Sequence, residues 1–95
     1  MKVEYSSRAY SDLEGIYEYY RRDGDLSRAA TIEVNIREAM DRIIQFPNSG
    51  RRVRDRTNIR VTLLLQDSYK IFYAISGNRI RVVHIRHTSR KPWTP

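Results

Sequence analysis

His87 stands among cations. Arg86, Arg90 and Lys91 are its near neighbours in the chain, and Arg60 and Lys70 precede it in two β-prone segments. Imidazole exchanges protons near neutral pH. The guanidinium fork binds two phosphate oxygens at once. Together they would suit a phosphodiester, with His87 as acid or base and Arg60, Lys70 and Arg90 on the phosphate. The plainer reading of Arg60, Lys70, Arg86, His87, Arg90 and Lys91 is a surface that binds a partner without cleaving it. Trp93, between Pro92 and Pro95, and the tyrosines offer faces for stacking on bases. His84 falls inside a strand and reads as a packing residue. Glu4, Asp55 and Asp67 are too scattered to form a carboxylate pair. Gly50 followed by arginines lacks the spacing and the lysine of a phosphate-binding loop. With no cysteine and few carboxylates near either histidine, neither metal nor cofactor is expected.

These residues sit in a chain of 95 residues with a formal net charge of +7. That length suits one domain, 1–95, burying roughly 60–65% of its unfolded surface. The composition, 40% hydrophobic and 31% charged, is that of a globular protein. Residues 1–50 hold seven basic and nine acidic residues, and residues 51–95 hold eleven and two. The whole positive excess therefore lies in the second half, which points to a polyanionic or acidic partner. No apolar run approaches the ~18 residues of a membrane span. Met1-Lys2-Val3-Glu4-Tyr5 lacks the apolar stretch of a secretory signal. A cytoplasmic protein, not bound to membrane, is expected.

The elements that must position the cations are legible from periodicity. Lys2 to Ser6 alternates and reads as a strand. Ser6 or Ser7 can cap a helix whose apolar face is Ala9, Leu13, Ile16, Tyr17 and Tyr20. Gly15 within it suggests close packing. Arg21-Arg22-Asp23-Gly24 ends that helix. Asp25 or Ser27 caps a second one with a stripe of Ala29, Ile32, Ile36, Met40 and Ile43. Phe46-Pro47-Asn48-Ser49-Gly50 stops it. Residues 51–58 read as a basic loop. Ile59 to Leu65, Tyr69 to Ile75 and Arg79 to Ile85 read as strands of a meander. Val82-Val83 breaks the alternation, which suggests either burial on both faces or a bulge. The expected fold is a two-layer α+β domain of order β-α-α-β-β-β. The first strand joins the meander.

Several motifs follow in a telling order. Ser6, Ala9, Asp12, Leu13, Ile16 and Tyr19 form a Ser-x-x-Ala-x-x-Asp-Leu-x-x-Ile-x-x-Tyr stretch. Phe46 to Arg51 has the form Phe-Pro-x-x-Gly-Arg. Tyr69-Lys70-Ile71-Phe72-Tyr73 and His84 to Trp93 come next. Together these resemble the RelE/ParE superfamily of bacterial type II toxin–antitoxin toxins, over nearly the whole chain. The resemblance implies a toxin that arrests growth until a cognate antitoxin binds it. It implies one of two targets, DNA gyrase in the ParE-like branch or mRNA on the ribosome in the RelE-like branch. The His-x-x-Arg-x-Pro-Trp ending looks closer to ParE-like chains. No tyrosine follows Tyr73, so the C-terminal tyrosine of the nuclease branch is absent. The favoured expectation is a ParE-like gyrase inhibitor that is not an enzyme. The alternative is a metal-independent endoribonuclease using His87, Arg60, Lys70 and Arg90. Tyr10, Tyr17, Tyr19 and Tyr20 are more tyrosines than one helical stripe can bury, and are expected to anchor the antitoxin.

Overall fold

The computed structural model describes residues 2–56, 58–64 and 69–88. The order is β1 (Lys2–Tyr5), α1 (Ser7–Arg22), α2 (Leu26–Gln45), β2 (Arg51–Arg52), β3 (Ile59–Leu63), β4 (Tyr69–Ser76) and β5 (Arg79–His87). The strands form one mixed sheet ordered β1-β5-β4-β3-β2. Both helices contribute to the core against one face of it. This is the expected two-layer α+β arrangement, with a larger sheet. Arg51-Arg52, read as loop, pairs antiparallel with Val61 and Arg60 as an edge strand. β1 joins the meander as expected, parallel to β5. Leu65 and Asp67 lie outside the described residues.

Local signals set the helix ends. Ser6 is the N-cap of α1, its hydroxyl accepting from the Ala9 amide at 3.0 Å. Asp25 caps α2, accepting from the Arg28 amide at 3.0 Å. Between the helices Gly24 takes φ +74°, which only glycine adopts readily. Ala9 and Ile16 of α1 meet Ile32, Ile36, Ala39, Met40 and Ile43 of α2 in the core. The sheet supplies Tyr69, Ile71, Tyr73, Ile80, Val82 and Ile85.

The break at Val82-Val83 is a bulge. Phe72 faces His84, but Tyr73 faces Val82, so Val83 is the extra residue. Without it, Val82 and His84 would share a face. With it, Val82 and Ile85 both reach the core, and His84 instead stacks on Phe72 at 5.9 Å. Phe72 is buried yet lies outside the helix-side core.

Candidate functional site

Cross-strand register decides which cations share a surface, because residues directly opposite in antiparallel strands share a face. Arg60 lies opposite Tyr73, on the side of the helices. Its Nη1 donates to the carbonyls of Gly50 at 2.8 Å and Asn48 at 3.1 Å. Tyr73 completes this knot: its hydroxyl donates to Pro47 O at 2.8 Å and accepts from the Gly50 amide at 3.0 Å. Arg60 thus pins the exit from α2.

Lys70 faces the other way. It lies opposite Leu63 on one side and Arg86 on the other. Lys70 and Arg86 are like charges directly across a ladder, a placement that destabilises a sheet unless an anion answers it. Phe72 and His84 form the next row of this face. Arg60 and Lys70, expected to converge, are therefore split by the thickness of the sheet.

His87 lies opposite Tyr69, on the helix side, with the two rings edge to face at 5.3 Å. The pair forms one wall of a cleft of about 510 Å³ between α1 and the ends of β4 and β5. Ser11, Asp12, Gly15, Ile16, Tyr19, Tyr20, Ile85 and Arg86 line the rest. A Cβ on Gly15 would meet nothing within 4 Å. Gly15 therefore opens space beside α1 and does not serve the close packing expected of it. Of the cation cluster read from the sequence, Lys70, Arg86 and His87 share this end of β4 and β5, Lys70 and Arg86 on one face of the sheet and His87 on the other. Arg90, Lys91 and Trp93 lie outside the described residues.

The helix tyrosines divide into two groups. Tyr10, 57% exposed, packs on Tyr5 at 5.5 Å near the end of β1. Tyr19, 60% exposed, meets Tyr20 edge to face at 5.0 Å by the cleft. Tyr17 and Tyr20 are half-buried against the core. Burial raises the hydroxyl pKa values of Tyr5 and Tyr17, with lesser contributions from neighbouring groups.

One polar pair was missed in the sequence. β1 ends opposite Val82, so beyond that point α1 lies along the edge of β5. The Asp12 carboxylate there accepts the Ile85 amide at 2.9 Å, standing in for a missing strand. It also accepts from His84 Nδ1 at 2.6 Å. A carboxylate only accepts, so the contact assigns the proton to Nδ1. Burial pushes the His84 pKa below its ordinary value, outweighing the opposing pull of Asp12. A signal was present: Asp12 lies three residues after Ala9 and four before Ile16, an acid beside the apolar stripe.

The ParE toxin family, described as "ParE toxin of type II toxin-antitoxin system, parDE", matches residues 3–92. This chain belongs to the ParE toxin family. Among solved structures, the ParE-family chain is similar to one described as "Chromosomal ParDE TA system from P. aeruginosa". The identity is 21% and the TM-score 0.78, covering 94% of this chain and 97% of that one. That likeness bears out the fold. No curated protein matches this chain. Membership in the family makes this chain a toxin of a type II toxin–antitoxin system, and implies an antitoxin partner. Among the described residues, no helix of this ParE-family toxin is long and apolar enough to cross a membrane.

Proposed function

We propose that this ParE-family toxin inhibits DNA gyrase in the cytoplasm and so arrests growth and stabilises plasmids unless its antitoxin covers it. The observation that carries the choice of target is the separation of Arg60 from Lys70. Cleaving RNA at a 2′-hydroxyl needs a base, an acid and charge stabilisation about one phosphate. Arg60 is engaged with two backbone carbonyls on the helix side. Lys70 and Arg86 present charge on the opposite face. His87 stands against Tyr69, on the face opposite Lys70. This division favours a surface that grips a partner over one that cuts a phosphodiester. Lys70, Arg86 and His87 are the contacts, together with Arg90, Lys91 and Trp93 further along. Tyr10, Tyr17, Tyr19 and Tyr20 anchor the antitoxin, the exposed Tyr10 and Tyr19 above all.

Induction of the chain alone in a bacterial host, with labelled precursors, separates the targets. Early loss of DNA synthesis and filamentous cells are expected, and the purified chain is expected to inhibit gyrase supercoiling. Immediate loss of protein synthesis with cleaved mRNA would instead establish a ribosome-dependent nuclease. His87→Ala should then abolish toxicity, whereas in a gyrase inhibitor, where His87 is one contact among several, it lowers toxicity only in part.

A further inference from the structure

The sheet ends on β1. Its even-numbered residues face β5: the Lys2 amide donates to Asn78 O at 3.1 Å and the Ser6 amide to Val82 O at 2.9 Å. By alternation, Val3 and Tyr5 direct their N–H and C=O groups out of the sheet. Among the described residues, no backbone group meets them. Native edges are commonly guarded by charge, and a row of like charges repels a second copy. β1 carries Lys2 and Glu4 instead, opposite charges two residues apart on the face away from the helices.

That spacing is self-complementary. A two-fold axis through Val3 sets Val3 against Val3 of a second copy as a hydrogen-bonded antiparallel pair. Lys2 then faces Glu4 of the second copy, and Glu4 its Lys2, opposite-charge pairs that stabilise a sheet where like charges would weaken it. Moving the register by two residues brings Glu4 against Glu4, which repels. One register is therefore selected. Arg79 Nη1, 3.3 Å from Glu4, holds that carboxylate at the edge. Tyr5 and the exposed Tyr10 add apolar surface on the helix side.

We propose that β1 is a self-pairing edge through which two copies of this chain join into one continuous sheet. The axis runs perpendicular to the sheet. Both helix layers then lie on one side and both Lys70–Arg86 pairs on the other, doubling the basic surface a partner meets.

Sedimentation velocity over a concentration series on the purified chain, without antitoxin, tests this. Wild type is expected to show a monomer–dimer equilibrium. Lys2→Glu and Glu4→Lys are each expected to weaken it about tenfold, since attraction becomes repulsion at two symmetric positions. The double variant Lys2→Glu/Glu4→Lys restores complementarity and also sets a carboxylate opposite Arg79; it should recover dimerisation. Val3→Pro deletes an edge donor that no backbone bond among the described residues uses, and should also give monomer. Far-UV circular dichroism verifies that each variant is folded. Wild type that stays monomeric at every concentration overturns the proposal. So do folded single variants that dimerise as wild type does, or a folded double variant that remains monomeric.

Discussion

Gly50 and Tyr73 approach so closely that no side chain fits at Gly50. A Cβ on Gly50 would collide with the Tyr73 hydroxyl and stand 2.9 Å from its Cε1. Tyr73 is fully buried and cannot swing aside. The glycine of the Phe-Pro-x-x-Gly-Arg stretch is there because a phenol occupies the space of a side chain. Gly50→Ala is expected to destabilise the chain by about 2 kcal/mol through overpacking, read from urea denaturation. His84 makes a second residue-scale prediction. Its folded pKa lies below the ordinary value of about 6.5. The unfolded chain therefore takes up the proton first. Stability from this group is complete above that ordinary value and declines as pH falls through it. Thermal melts between neutral and mildly acidic pH should show the decline. His84→Gln, whose amide can still donate to Asp12, should flatten it. An unchanged slope would assign the proton uptake to another group.

At the scale of elements, α1 does two jobs with two faces. Its apolar stripe packs on the core, and Asp12 seals the edge of β5 where β1 stops. Asp12→Ala leaves the Ile85 amide and His84 Nδ1 without their acceptor. A loss of about 3 kcal/mol is expected, with faster hydrogen exchange at Ile85. Gly15 sits within the same helix but faces the cleft, where a methyl group has room. Gly15→Ala should raise stability by about 1 kcal/mol from helix propensity alone. A rise in melting temperature checks this; a fall would mean that the cleft wall is tighter than its geometry indicates.

At the scale of the whole molecule, the two halves of the chain carry different charge, and the sheet's outer face shows it. Lys70 and Arg86, both half-buried, lie on the side away from the helices, and the acidic residues of α1 and α2 stay with the helix layer. A partner with acidic character is steered toward the basic face before contact. Association with the antitoxin should slow as salt is raised, while dissociation changes little; stopped-flow mixing separates the two rates. Lys70→Ala with Arg86→Ala should reduce the salt dependence, and Tyr19→Ala should act on dissociation. Antitoxin-bound toxin should also melt at higher temperature, since the partner binds only the folded chain.

Periodicity and capping chemistry are local, and for that reason they were readable in advance. The two helix stripes, a cap at Ser6 or Ser7 and another at Asp25 or Ser27, the three meander strands and the irregularity at Val82-Val83 all follow from nearest neighbours in the chain; the structure chose Ser6 and Asp25. The order of motifs gave the family as well. What needed the tertiary structure was register. One extra residue at Val83 sends His84 to one face and keeps Ile85 on the other, and no property of the segment alone chooses that outcome. The same pairing put Arg60 and Lys70 on opposite faces, though both looked equally placed for one phosphate. Arg51-Arg52 became a strand only because Arg60 and Val61 offered an edge. Asp12 met His84 across 72 residues of chain because β1 runs out before β5 does. Side-chain identity is written in the sequence, but which side chains face one another depends on how strands far apart in the chain align.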